Sequence, residues 1–319
     1  MKKTVLLLII ISLCTLFSSC NDTLVSRQGF YFDTMVNISV NSSDADSVQS
    51  AFDVCKSLEN VFSRTKEGSE LWKINNKKNS SLSPQMKEVL DFSLSLSAMT
   101  DGAFDVTSGK LTELWNIKNR TVPPSDDEIE NALKNTGYNN VSLSPIDIGE
   151  TTVDLGAVAK GYAADIIRKE LLDRNVKEAI IDLGGNIALI GEYTVGIRNP
   201  FSPDEIFAKI TLKDKSAVTS GSYQRYFDYD GKRYHHIIDA RTGKCAESGL
   251  SSVTVISTSS LEADALSTAI FILGKDGLSL CEKFPDADVL IIDSEGNVVT
   301  TDGFIEKYNF VRYVTNSAT

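Results

Sequence analysis

Histidine occurs only twice in this chain of 319 residues, and the two stand side by side as His235 and His236. Any imidazole chemistry is therefore confined to one place. Successive side chains of a strand point to opposite faces, so only one of the pair can face a given site. Cysteine is nearly as sparse: Cys14, Cys20, Cys55, Cys245 and Cys281, with no C-x-x-C spacing. That excludes a disulfide framework and a zinc-thiolate cluster, and Cys55, Cys245 and Cys281 read as buried, unpaired thiols without redox chemistry. Basic residues are in deficit, 32 Lys+Arg against 43 Asp+Glu for a formal charge of −11, which argues against a nucleic-acid partner held through its phosphates. An anionic ligand would need local help from a metal or from backbone N–H groups. There are only seven prolines, and no Pro/Gly/Ser-rich linker cuts the chain into independent halves, so two interlocked lobes are expected. What is plentiful is core material: 42% of residues are hydrophobic.

The apolar stretch from Val5 to Leu13 is shorter than the roughly 20 residues that a spanning helix needs. It follows Met1-Lys2-Lys3 and precedes Thr15-Leu16-Phe17-Ser18-Ser19-Cys20: a charged start, a short apolar segment and small residues before a cysteine, the pattern of an export signal. Small residues ending at Cys20 look like a bacterial lipobox, although Phe17 stands where Leu is usual. The expectation is a signal peptide over 1–19, a lipidated tether over 20–28 beginning at Cys20, and a folded domain over 29–319, exported and lipid-anchored to a bacterial membrane facing the periplasm.

Apolar residues at Val48, Ala51, Phe52, Cys55, Leu58 and Phe62 keep the spacing of an amphipathic helix. Ser83-Pro84 opens a second helix, and Ser125-Asp126-Asp127-Glu128 is a capping box that opens a third. Helical patterns recur over Ala157–Leu172 and Glu262–Leu273. Strands are predicted over Ala179–Leu183, Tyr193–Ile197, Phe207–Leu212, Ser251–Ile256 and Val289–Ile292. Tyr223–Tyr229 and Lys232–Ile238 flank Asp230-Gly231, a type I′ hairpin signal. Helices early and hairpins late favour an α+β fold over a doubly wound parallel sheet.

Five segments carry polar residues that neither a plain core nor a plain surface needs. Thr100 to Thr107 contains Gly102-Ala103-Phe104-Asp105; a tight turn would also explain it. Asp154-Leu155-Gly156 and Ala159-Lys160-Gly161 surround a helix start, where free N–H groups can receive phosphate oxygens; a capping Asp beside a surface Lys is the plainer reading. Ile181-Asp182-Leu183-Gly184-Gly185-Asn186 ends a strand in paired glycines, which suit a turn or a close ligand approach. Thr219-Ser220-Gly221 leads into the hairpin and on to His236-Ile237-Ile238-Asp239 and Thr242-Gly243. Asp264 and Thr268 lie one helical turn apart and so share a face; together they offer hard oxygen ligands suited to Mg²⁺.

In order and spacing these segments, with Phe32-Asp33-Thr34, Ser69-Glu70-Leu71 and Asn75, resemble the FAD:protein FMN transferase (ApbE) family, from about Phe32 to the C-terminus. The resemblance implies a T-fold-like α+β architecture with a flavin cleft between two lobes. It implies FAD as substrate, contacted by Ala103, Phe104, Asp105, Asp154, Lys160 and Ile238. It implies Mg²⁺ held by the Ala157 carbonyl, the Asp264 carboxylate and the Thr268 hydroxyl, with His236 and Asp264 as catalytic residues. Four residues depart from the family pattern: Phe32-Asp33 stands where Met-Gly is common, Thr65 where an aromatic is common, and Ser267 where many relatives carry a second Asp.

The implied reaction is Mg-dependent transfer of the FMN moiety of FAD to a Ser or Thr hydroxyl of an acceptor protein, with release of AMP. The implied acceptors are exported or membrane-bound redox subunits of the Na⁺-pumping NADH:quinone reductase or Rnf type. Two alternatives stay open. One is an FAD pyrophosphatase giving FMN and AMP; the other is a non-catalytic flavin-binding lipoprotein.

Overall fold

The computed structural model describes residues 23–78 and 81–313; the expected signal segment and Cys20 lie outside them. The central element is one sheet of eight strands, in which every neighbouring pair is antiparallel. Its order runs Leu24–Tyr31, Thr34–Asn41, Ala179–Leu183, Asn186–Ile190, Ser216–Gly221, Leu250–Ser257, Asp288–Asp293, Val298–Thr300. Antiparallel pairing with helices gathered on one face makes this an α+β protein, as the element pattern indicates.

The helix face of the sheet is apolar, and three helices cover it. The helices Ser47–Phe62, Ala159–Asp173 and Ser260–Leu273 bury Val48, Phe52, Leu58, Ile167, Leu171, Ala263, Leu266 and Ile270 in one continuous core with Ile38, Ile181 and Val253 of the sheet. A second core lies under the three-stranded sheet formed by Glu192–Arg198, Ile206–Lys213 and Val311–Arg312. There Ile197, Phe207 and Ile210 meet Leu189, Ile256 and Leu290 of the main sheet. A third, small cluster joins Trp115, Ile129 and Cys245.

The local signals in the sequence account for the boundaries. Ser83 caps the helix Pro84–Met99 by accepting the Met86 N–H. Ser125 and Glu128 form the reciprocal capping box of Asp126–Leu133. Asp230 and Gly231 both take positive φ, 49° and 73°, and close the hairpin Tyr226–Tyr229/Lys232–His235. This hairpin is shorter at its outer ends than the periodicity predicts; just beyond it the His236 N–H still donates to the Arg225 carbonyl at 3.1 Å, and both residues line a cleft. Among the described residues no helix is long and apolar enough to cross a membrane. Cys55 and Cys245 are buried free thiols, and burial pushes both up to about 12.

Candidate active site

A cleft of about 640 Å³ opens where the two main cores meet the hairpin, a size suited to one small molecule. Phe104, Asp105, Asp154, Ala157, Lys160, His236, Ile238, Asp264 and Thr268, taken from segments far apart in sequence, all line it. Of the implied site residues only Ala103 is set back from the wall. It is fully buried, and its carbonyl accepts the Ala240 N–H at 3.2 Å, tying the Phe104 loop to the segment that carries Ile238.

The floor is built where two helices touch at their N-terminal ends. A Cβ on Gly161 would stand 2.4 Å from the Ser260 carbonyl oxygen and 2.7 Å from Asp264 Cβ, so only glycine permits this approach. The Gly161 N–H donates to Asp264 Oδ2 at 2.9 Å. Gly161 is the third residue of the helix Ala159–Asp173, where a backbone N–H has no partner within the helix, so Asp264 satisfies a group the helix leaves open. The Ala157 carbonyl, just ahead of the helix, accepts no backbone N–H among the described residues. Lys160 Nζ lies 3.6 Å from Asp264 Oδ2 and donates to the Gly156 carbonyl at 3.1 Å.

Asp264 is 5% exposed. Burial pushes its carboxyl above the usual range, against the opposing pull of Lys160 and of the Gly161 N–H. One turn on, the Thr268 hydroxyl donates to the Asp264 carbonyl at 3.3 Å and lies 3.2 Å from Ser220 Oγ. Ser220 also meets Ser267 at 2.9 Å. Thus Ser267 braces a hydroxyl cluster and does not supply a second carboxylate.

The two histidines divide as strand geometry requires. His235 is buried, its Nε2 3.1 Å from the Ala246 carbonyl and its Nδ1 accepting the Ile237 N–H at 3.3 Å; it packs edge-on against Phe271. His236 faces the cleft, with Nδ1 3.3 Å from the Arg225 carbonyl. A carbonyl can only accept, so this contact assigns the proton to Nδ1 and leaves the Nε2 lone pair free. Burial first, then the charge of Arg225, pushes the His236 imidazole down to about 3, so it is neutral at pH 7.

Two further acids of the cleft, Asp105 and Asp154, are tied to the framework. Asp105 Oδ1 accepts the Thr107 N–H and hydroxyl at 2.7 and 2.8 Å, while Oδ2 accepts the Tyr138 N–H at 2.8 Å. Burial raises its carboxyl nonetheless. Asp154 Oδ1 caps the Gly156 N–H at 2.8 Å, and Oδ2 pairs with Arg64 Nε at 3.3 Å. Sequence reasoning missed Arg198 and Arg225, which also line the cleft; the available signal was basic residues flanking a cleft motif in an acidic chain.

An α+β protein whose cleft gathers cations, hydroxyls and the buried carboxylates of Asp105 and Asp264 with a neutral imidazole belongs to the class that handles phosphorylated small molecules. Its family is the ApbE family, which the chain matches over residues 32–291. The FAD:protein FMN transferase of Klebsiella pneumoniae (strain 342) is 38% identical over 218 residues, 64% of this chain and 67% of that one. The FAD:protein FMN transferase of Treponema pallidum (strain Nichols) is 32% identical over 291 residues, 82% of this chain and 80% of that one. Among solved structures, the ApbE protein of Thermotoga maritima superposes with a TM-score of 0.80 at 34% identity, covering 88% of this chain and 98% of its own. The flavin transferase ApbE of Vibrio cholerae does so with a TM-score of 0.80 at 26% identity, covering 90% and 99%.

Proposed function

We propose that this protein transfers the FMN moiety of FAD to a Ser or Thr hydroxyl of an acceptor protein and releases AMP. The observation that carries the reading is the meeting, in one cleft, of Asp264, Thr268 and an undonated Ala157 carbonyl with the free Nε2 of His236. FAD is the substrate: the acceptor oxygen bonds to the FMN phosphorus, the bond from that phosphorus to the bridging oxygen breaks, and AMP leaves carrying that oxygen. Phe104, Asp154, Lys160 and Ile238 are the wall residues placed to hold the flavin nucleotide, while Ala103 and Asp105 hold the shape of that wall.

His236 Nε2 takes the hydroxyl proton. Its neutral form is the one able to do so, and the Arg225 carbonyl fixes the ring by holding Nδ1–H. The pyrophosphate brings negative charge beside Arg225 and Lys160, whose charges add to burial in depressing His236. Substrate binding therefore lifts the imidazole toward a working pKa.

Mg²⁺ fits the oxygen set. Among the described residues no group of three or more His, Cys, Asp or Glu gathers, so a cation here relies on the Asp264 carboxylate, the Thr268 hydroxyl, the Ala157 carbonyl and water, a donor set typical of Mg²⁺. Bound there, it supplies charge neutralisation to the phosphate oxygens.

The export reading rests on the sequence alone. Met1-Lys2-Lys3, the Val5–Leu13 stretch and Ser18-Ser19-Cys20 support a lipoprotein, periplasm-facing and anchored through Cys20. Its acceptors would then be exported or membrane-bound redox subunits, of the Na⁺-pumping NADH:quinone reductase or Rnf type.

The test incubates the soluble domain with FAD, Mg²⁺ and a candidate acceptor domain, following acceptor mass and AMP together. Acceptor mass increased by FMN less water, with equimolar AMP, is the expected result. Free FMN and AMP from a panel of acceptors, none modified, would replace transfer with pyrophosphate hydrolysis; FAD binding without AMP would replace it with a flavin-binding lipoprotein.

A further inference from the structure

The paired glycines Gly184-Gly185 join two neighbouring strands of the central sheet, Ala179–Leu183 and Asn186–Ile190. Both take positive φ, 68° and 96°. A Cβ on Gly184 would stand 2.2 Å from Thr34 Oγ1, and the Gly185 N–H is held by Asp182 Oδ1 at 2.8 Å. This tight turn delivers Asn186 to the cleft wall with 1% of its surface exposed.

The Asn186 amide is oriented from behind. Ser260 Oγ donates to its Oδ1 at 2.6 Å, which turns Nδ2 away from Ser260. Nδ2 is buried and has no hydrogen-bond partner among the described residues. Of the six buried side-chain polar atoms in that condition it is the only one on a residue lining the cleft. An unpaired buried amide donor costs about 1–3 kcal/mol, so it calls for a reason.

The reason stands next to it. Asn186 is hydrogen-bonded to Ser260, one helical turn before Asp264 and so on the same face of that helix, and both Asn186 and Asp264 line the cleft. Both groups that hold that carboxylate, the Gly161 N–H and Lys160, fall on Oδ2. Oδ1 accepts from no group among the described residues. A donor without an acceptor and an acceptor without a donor therefore face the same cleft as two halves of an unmade hydrogen bond.

We propose that Asn186 is a positioning residue for Asp264: its Nδ2–H is the donor that the carboxylate takes through Oδ1 when it turns from Lys160 toward the cleft. Asn186 thus pre-aims the carboxylate for a divalent cation, an inference that rests on the metal half of the function proposed above. Partners that orient a ligating side chain in this way typically account for about 10–100-fold in metal affinity.

Mn²⁺ binding to the FAD-free protein, read by electron paramagnetic resonance, tests this without turnover. Asn186→Ala is expected to weaken Mn²⁺ binding about tenfold or more, while FAD affinity in metal-free buffer stays within about twofold. Ser260→Ala frees the amide without touching it. It should weaken Mn²⁺ in the same direction by a smaller factor, and it decides the matter if Asn186→Ala does not fold. Unchanged Mn²⁺ affinity in the folded variants overturns the assignment, as does an equal loss of metal-free FAD binding, which would put Nδ2 on the nucleotide. Wild-type protein that binds no Mn²⁺ overturns the metal reading along with it. A wild-type protein that binds Mn²⁺ and releases AMP, with variants that match it, overturns the role of Asn186 alone.

Discussion

Gly161 gives its backbone N–H to the Asp264 carboxylate at 2.9 Å and not to the carbonyl one helical turn behind it. That single bond links the two helices and fixes one oxygen of the buried acid. Only glycine allows the close approach that makes it, so the geometry of the cleft floor depends on a residue with no side chain.

Gly161→Ala should therefore damage stability and activity together. The added methyl meets the Ser260 carbonyl oxygen at 2.4 Å, backbone that cannot swing aside, and overpacking of this kind costs about 1–3 kcal/mol. Denaturant unfolding should show that loss. FMN transfer by the folded fraction should fall at least tenfold as Asp264 shifts; an unaltered rate per folded molecule would show that the helix contact does not set the acid.

Asp264→Asn separates stability from function in the opposite way. The carboxyl is held above its ordinary range by burial, so the charged form weakens the metal-free fold at pH 7, and a neutral amide of the same shape should leave unfolding free energy equal or higher. Transfer should nevertheless drop about 100-fold or more, since the cation and the phosphate charge lose their carboxylate. Full activity of the variant in magnesium-containing buffer would remove Asp264 from the reaction.

Cys20 lies outside the described residues, and the anchor it implies is checked in cells. Wild-type protein should partition into detergent and incorporate labelled fatty acid, whereas Cys20→Ser should do neither and should reach the aqueous fraction. A Cys20→Ser protein that still fractionates with membranes would point to some other attachment.

What could be read in advance was local. The caps at Ser83 and Ser125 and the Asp230-Gly231 turn depend on residues within three positions of each other, and the structure repeats them. The first hairpin, Leu24–Tyr31 with Thr34–Asn41, carried no such signal: its turn residues Phe32 and Asp33 take φ of 52° and 59°, where glycine or asparagine is usual. A distant group steadies it, since Glu59 Oε1 accepts the Phe32 N–H at 2.8 Å. The cleft shows the same division. Asp264 and Thr268 were legible as a one-turn pair on a helix. The Gly161 contact and the Ser260 bond to Asn186 join residues 103 and 74 positions apart, and no short-range pattern encodes them.

The histidine pair contributes to the loss of stability in acid. Both imidazoles are held below their ordinary value by burial, His236 down to about 3. A histidine lowered in the fold takes up its proton more readily when unfolded, so stability is complete above the unfolded value of 6.5 and is lost as pH falls from there toward 3. His236→Gln removes one of the two groups and should flatten that decline, leaving the variant relatively more stable at pH 5 than at pH 8 by about 1–2 kcal/mol. The same substitution should lower transfer about 100- to 10,000-fold at pH 7 by removing the proton acceptor, with FAD affinity changed only a few-fold. Equilibrium denaturation across pH 4–8 and single-turnover AMP release measure the two effects separately. A variant whose stability tracks wild type at every pH would show that His236 protonates alike in both states, and retained AMP release would assign the proton to another group.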